Sequence, residues 1–241
     1  MKKRVLLIIP AFNEEESIID TVKQVENFYD ENFELNYVVI NDGSTDSTGK
    51  LLTNSGKNVI HLVSNLGIGG AVQTGYKYAK LHSYDIAVQF DGDGQHDINS
   101  LPALISPILQ EKNNFTIGSR FVPGEKSNFQ STGLRRLGIN IISILIKIVS
   151  GQRLYDTTSG YRAADKNVIE YFSDSYPVKY PEPESLVLLL KNGFKFREIP
   201  VNMFERTGGE SSITPVKSIK YMLEVCSAIL LLSFKKGKEE L

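Results

Sequence analysis

Five short apolar or β-branched runs, at residues 5–9, 37–40, 59–63, 86–90 and 115–117, alternate with helical patterns at 15–29, 46–54, 70–82 and 101–110. No other feature of the sequence limits the fold as much. Runs this short and this continuously apolar must be covered on both faces, and the intervening helices supply the cover. The pattern therefore predicts βαβ units around a mostly parallel central sheet flanked by helices. In such a sheet, ligands bind beyond the carboxyl ends of the strands. The residues with the most chemistry lie at those ends, at 10–14, 41–44 and 91–97.

The second half is less regular. A loop at 122–133 leads to a strongly apolar helix at 134–149 and a short segment around Tyr161. A helix at 184–192, a strand at 195–201, a polar loop at 205–214 and a final helix at 218–234 follow. No repeat, low-complexity tract or linker divides the chain, so one domain over residues 1–241 is expected. A chain of this length buries about 70–75% of its unfolded surface and needs neither disulfide nor structural metal. The single cysteine, Cys226, excludes a disulfide framework and suits a reducing compartment.

The longest uncharged apolar stretches, 137–146 and 225–234, have ten residues each. As helix they rise about 15 Å, half of a hydrocarbon core of about 30 Å. The apolar run before Pro10 is too short for a signal-peptide core. A cytoplasmic chain, or one peripheral on the cytoplasmic face of a membrane, is the expectation.

A net charge of −1 argues against a nucleic-acid binder. It conceals an asymmetry. Residues 1–100 carry 14 acids against 8 Lys and Arg, whereas residues 120–153 carry six Lys and Arg against Glu125 alone. One chain with a patch of each sign suits a site handling both cations and anions.

The strongest motif is Asp91-Gly92-Asp93-Gly94-Gln95, directly after an apolar run. Two carboxylates leaving a sheet at a glycine turn suit a hard divalent cation that is shared with substrate phosphates. Gln95 adds a neutral oxygen. An EF-hand is excluded, because the twelfth position from Asp91 is Pro102 where a bidentate Glu is required. Asp42, after the second run, is spaced to receive a donor from a base or ribose. The stretch Asn65-Leu66-Gly67-Ile68-Gly69-Gly70-Ala71 fails as a dinucleotide fingerprint, with Val72 at the third Gly/Ala position. Its glycines still allow close approach to phosphate. Arg120, Arg135, Arg136 and Arg206, beside hydroxyls, suit phosphate oxygens. In helix 134–149, Arg136, Asn140, Ser143, Lys147 and Ser150 form a narrow polar stripe on an otherwise apolar cylinder. Burial under a neighbour and placement in a bilayer interface both satisfy that pattern, and the final helix poses the same choice.

Taken together, these segments resemble the family 2 glycosyltransferases of GT-A fold, in the branch of dolichyl-phosphate mannose and polyprenyl-phosphate glucose synthases. The matching motifs are Pro10-Ala11-Phe12-Asn13-Glu14-Glu15, Asn41-Asp42-Gly43-Ser44-Thr45-Asp46, Asn65-Leu66-Gly67-x-Gly69, Asp91-Gly92-Asp93-Gly94-Gln95 and Gly118-Ser119-Arg120-Phe121. Ser159-Gly160-Tyr161-Arg162 and the Arg206, Gly208, Ser211 pattern follow in family order. The resemblance implies a nucleotide-sugar-binding half at 4–120, an acceptor-binding half at 121–213, and a C-terminal helix with a basic tail at 214–241. It implies nucleoside contacts from Pro10, Ala11, Asn13, Glu14, Asp42, Gly67 and Asp91. Mg²⁺ or Mn²⁺ would be held by Asp91, Asp93 and Gln95, and acceptor phosphate by Arg120, Arg136, Arg206 and Ser211. Two positions depart from the pattern. Ile68 stands where many relatives carry Lys, and Pro183 stands where sugar-acceptor enzymes carry the Asp of a Glu-Asp base pair.

The implied reaction is inverting, metal-dependent transfer of a sugar from a nucleoside diphospho-sugar. A sugar hydroxyl needs a positioned base, while a phosphate monoester, with a second pKa of about 6, is already anionic. The interrupted base site and the basic half therefore favour a polyprenyl phosphate acceptor. The alternative is a saccharide hydroxyl in cell-wall or surface polysaccharide synthesis, with Glu182 or Glu184 as base. A lipid acceptor leaves room for a small membrane-protein partner. A haloacid-dehalogenase-like phosphatase also uses D-x-D but wants Thr or Val where Gln95 stands. An inactive nucleotide-binding subunit would not need the intact carboxylate pair.

Overall fold

The computed structural model describes residues 2–123, 133–204 and 215–234, with side chains from 136 onward in the second stretch and from 221 onward in the third. Its centre is a seven-stranded sheet: β1 (Lys3–Ala11), β2 (Phe33–Asn41), β3 (Val59–His61), β4 (Ile86–Gln89), β5 (Phe115–Ser119), β6 (Arg162–Asp165) and β7 (Phe196–Pro200). Eight helices join them: α1 (Ile18–Glu26), α2 (Thr48–Asn54), α3 (Gly67–Leu81), α4 (Leu101–Leu109), α5 (Gly133–Ser150), α6 (Lys166–Asp174), α7 (Pro181–Lys191) and α8 (Pro215–Phe234).

The middle strand follows directly from its sequence. Val5 to Ile9 are fully buried, and each such side chain contributes about 1.5–3 kcal/mol on burial. Alternate residues serve opposite layers: Leu6 and Ile8 pack with α3 and α6, while Val5, Leu7 and Ile9 pack with α1 and α4. A slip of one residue would exchange the two sets, so the register is strongly specified.

Strand order is β3-β2-β1-β4-β6-β5-β7. All neighbours are parallel except β6, which runs antiparallel to both β4 and β5. This strand and α6 after it are absent from the sequence expectation, which has only a short segment around Tyr161. The physical reason is that Arg162-Ala163-Ala164-Asp165 has no β-branched or aromatic residue. Pairing on both sides, rather than local preference, makes it a strand. The start of α6 did carry a legible signal: Asp165 caps it, its carboxylate accepting from the Val168 N–H at 2.9 Å.

Because β1, β2, β4, β5 and β7 share a direction, their carboxyl ends meet at one edge. The antiparallel β6 brings its amino end there as well, with Arg162 paired to Gln89. Residues distant in sequence (12–17, 42–47, 62–66, 90–97, 120–121, 155–161 and 202–204) therefore share one rim.

Helix α5 corrects the polar-stripe expectation. Ser143 faces inward with Ile139, Ile142 and Ile146, and its buried hydroxyl makes no hydrogen bond among the described residues. Leu137, Ile141, Ile144 and Ile148 are exposed instead, Ile148 by 75%. The helix is thus apolar on two faces, only one of them covered. Helix α8, packed beside it, likewise exposes Leu223, Leu230, Leu231 and Phe234. No described helix is long and apolar enough to cross a membrane.

Candidate active site

The loops after β1 and β2 lock together. Asn13 takes a left-handed conformation, φ 57°, which Asn tolerates better than most residues. Its side-chain oxygen accepts the Thr45 N–H at 2.8 Å, and its own N–H donates to Ser44 Oγ at 3.0 Å. Asn13 is therefore engaged in shaping the rim. Glu14 donates its N–H to Thr48 Oγ1 at 2.9 Å and accepts the Ser17 hydroxyl at 3.2 Å. Pro10 and Ala11 are buried at the end of β1.

Asp42, also buried, accepts the Leu66 N–H at 2.7 Å, drawing the β3–α3 loop over the end of β2. Gly43 permits this. Its φ is +66°, and a Cβ there would lie 2.7 Å from the Asn65 nitrogen. Gly67 opens α3, and its N–H donates to Asn65 Oδ1 at 3.0 Å.

The two carboxylates follow β4. Asp93 is only 4% exposed and caps its own turn, accepting the Gln95 N–H at 3.0 Å. The carbonyl of Gly92 accepts the Ser17 hydroxyl at 2.9 Å and the Thr21 hydroxyl at 3.2 Å, tying the turn to α1. Asp91, less buried, accepts from the Gln89 amide at 3.1 Å. Gln95 approaches the Phe204 carbonyl through its NH₂ group at 3.5 Å, so its carbonyl oxygen could serve a cation.

Among the described residues no cluster of three or more His, Cys, Asp or Glu is arranged to hold a metal. Two carboxylates and an amide oxygen nevertheless fit a hard cation that completes its shell with water and substrate phosphate, the usual situation for Mg²⁺. They do not fit an all-protein cage.

The first turn of α7 carries Glu182 and Glu184. Burial raises the Glu182 carboxyl above the ordinary range; Arg162 opposes this and Asp91 adds to it. Glu182 therefore lies within electrostatic reach of Asp91, although 91 positions separate them in sequence. Tyr221 on α8 also senses Glu182 and Glu184, its hydroxyl held up first by burial.

Arg120, expected at the acceptor phosphate, is engaged within the protein. It is buried, and its guanidinium grips Asp156 at 2.7 and 2.8 Å, while its backbone N–H donates to the same carboxylate at 3.0 Å. The Asp156 and Tyr155 N–H groups in turn donate to Glu198 at 2.7 and 2.8 Å. This network braces the rim from behind. Sequence reading missed Asp156 and Glu198; the one available signal was an acid within the strand predicted at 195–201. Arg136, at the start of α5, is exposed and lies 5.2 Å from the Phe121 ring centroid. Arg206 and Ser211 lie outside the described residues, as does the side chain of Arg135.

Residues 6–172 match "Glycosyl transferase family 2". The chain is 33% identical over 221 residues to a UDP-N-acetylglucosamine–dolichyl-phosphate N-acetylglucosaminyltransferase of Methanococcus voltae, covering 83% of this chain and 85% of that protein. It is 30% identical to an undecaprenyl-phosphate mannosyltransferase of Micrococcus luteus, covering 88% of each. Among solved structures, glucosyl-3-phosphoglycerate synthase from Mycobacterium tuberculosis, in complex with Mn²⁺, uridine diphosphate and phosphoglyceric acid, superposes with a TM-score of 0.72. It is 18% identical and covers 98% of this chain and 80% of its own. At that identity the likeness is one of fold, and the fold is GT-A.

Proposed function

The chain belongs to glycosyl transferase family 2, and from that premise we propose that it moves a sugar from a nucleoside diphospho-sugar to a polyprenyl phosphate, inverting the anomeric centre. The relatives named for dolichyl and undecaprenyl phosphate support this acceptor. One observation carries it furthest. Helices α5 and α8, packed against each other, both present exposed apolar faces.

In this reading Pro10, Ala11, Glu14, Asp42 and Gly67 line the nucleoside side of the rim. Asp91, Asp93 and Gln95 would hold the divalent cation, which neutralises charge on the departing diphosphate. Arg136, with Arg206 and Ser211, attracts the acceptor phosphate. Its oxygen is already anionic and attacks without a base. Arg120 and Asp156 keep the rim in shape.

Incubating the protein with UDP- and GDP-sugars, Mg²⁺ or Mn²⁺, and polyprenyl phosphate is expected to yield a polyprenyl monophosphate sugar, identified by mass. Glu182, half-buried and within electrostatic reach of Asp91, favours a second reading, with a saccharide hydroxyl as acceptor and Glu182 as base. A saccharide product that disappears in Glu182→Gln, with no lipid product, would replace the first reading by the second.

The exposed stripe of α5 also carries Lys147, and beyond α8 the sequence continues with Lys235, Lys236 and Lys238. Basic residues near anionic headgroups add about 1 kcal/mol each. The protein is therefore proposed to lie peripherally on the cytoplasmic face of an anionic membrane. Ile144→Glu combined with Ile148→Glu is expected to lower flotation with anionic vesicles about tenfold or more, with little change in melting temperature. Flotation equal to the parent's would remove the membrane face from the proposal. A parent that fails to float on protein-free vesicles would instead call for a small membrane-protein partner.

A further inference from the structure

The motif Ser159-Gly160-Tyr161-Arg162 has no part in the reaction as described, yet it lies directly behind Asp91. A Cβ on Gly160 would sit 2.6 Å from Asp91 Oδ2, 3.1 Å from Oδ1 and 2.9 Å from the Gln89 amide nitrogen. Those distances are below contact, so the carboxylate occupies the space that a side chain would fill.

His96 holds the same aspartate from another side. Its Nδ1 accepts the Asp91 backbone N–H at 3.0 Å. A backbone N–H can only donate, so Nδ1 is the unprotonated nitrogen and Nε2 carries the hydrogen. That Nε2 lies 3.5 Å from Asp91 Oδ2. The ring is buried and lies flat against Tyr161, with centroids 4.6 Å apart and planes 11° apart. Phe90 meets both rings edge-on, at 5.5 and 5.6 Å. Tyr161 is anchored by its hydroxyl, which donates to the Asp97 carbonyl at 3.2 Å.

Arg162 fixes the motif to the rest of the molecule. Although only 1% exposed, it donates to the carbonyls of Ser159 at 2.6 Å, Thr157 at 3.3 Å and Glu182 at 2.8 Å, and to the Ser185 hydroxyl at 2.8 Å. The loop that carries Gly160 is thereby tied to α7.

We propose that His96, Gly160 and Tyr161 are positioning residues that set the Asp91 carboxylate for the donor's divalent cation while touching neither cation nor sugar. The proposal rests on the reading that Asp91 holds that cation. Partners behind a metal ligand commonly change metal affinity about tenfold to a hundredfold when removed.

The test uses Gly160→Ala, which pushes on the carboxylate, and His96→Asn, whose side-chain oxygen can still accept the Asp91 N–H but which lacks the ring. Free Mn²⁺ is followed by its paramagnetic resonance signal during titration of each protein, once with UDP and once with GDP present. Melting temperature is recorded alongside. The expected result is a rise in the Mn²⁺ dissociation constant of about tenfold or more in both variants, with transfer recovering at high Mn²⁺. Variants that bind Mn²⁺ like the parent would overturn the proposal and leave the metal reading intact. A parent that binds no Mn²⁺ with either nucleotide would overturn the metal reading itself. Should Gly160→Ala fail to fold, His96→Asn decides alone. A lower melting temperature with unchanged Mn²⁺ affinity in the folded protein would assign these residues to stability only.

Discussion

Asp93→Asn is expected to reduce sugar transfer about a thousandfold or more, equivalent to about 4 kcal/mol of transition-state stabilisation, while the protein melts within a few degrees of the parent. The near-isosteric change makes the result interpretable. Asp93 uses one oxygen to accept the Gln95 N–H, and an Asn oxygen can do the same, so the turn after β4 keeps its cap. The negative charge is lost, and with it half of the carboxylate pair proposed to face the donor diphosphate. The measurement is turnover at saturating donor with Mg²⁺ or Mn²⁺, alongside a thermal melt. Turnover near that of the parent would remove Asp93 from the cation site.

The largest effect on stability is expected at Asp156, which is fully buried. Asp156→Ala strands the Arg120 guanidinium in the interior and leaves the Arg120 N–H without that acceptor. Breaking a buried pair by removing one partner costs about 3–5 kcal/mol. At about 2–4 °C per kcal/mol for a protein of this size, the melting temperature falls by roughly 6–20 °C. Replacing both partners with apolar residues, Arg120→Met with Asp156→Leu, is expected to recover much of the loss, because no charge is then left buried alone. A drop below about 1 kcal/mol in Asp156→Ala, read from denaturant unfolding, would show that the pair does not brace the rim.

The contrast between these two residues shows what a sequence can reveal. Asp93 is legible because its meaning is local: an apolar run, a glycine turn and a second acid two positions away. Arg120 belongs to an equally recognisable motif, yet its partner Asp156 is 36 residues on, in a segment with no periodicity. The sequence offers an arginine suited to phosphate. The fold commits that arginine to a carboxylate, because burial of either charge alone would be too costly. Arg136 escaped this fate, being on the exposed side of α5.

Helix α5 teaches the same lesson with apolar residues. Its composition is apolar nearly all round, and a wheel count can locate a polar stripe but not say which face a neighbour will cover. Packing against α7 and α8 buries Ile139, Ile142, Ser143 and Ile146, and leaves the row from Leu137 to Ile148 in the open. Likewise β6 was invisible, its four residues having little strand preference, until β4 and β5 flanked it.

By itself the sequence determined the βαβ order, the buried middle strand, the placement of acidic turns at strand ends and the family resemblance. All of these rest on periodicity, turn residues and short spacings, which act within a few residues. The tertiary structure alone decided the antiparallel β6, the capture of Arg120 by Asp156, the placing of Glu182 within electrostatic reach of Asp91, and the packing of Gly160 and His96 around that aspartate, with Tyr161 stacked behind His96. These depend on which distant groups share one buried rim, where an unpaired charge or polar group is expensive, and no local pattern specifies that pairing.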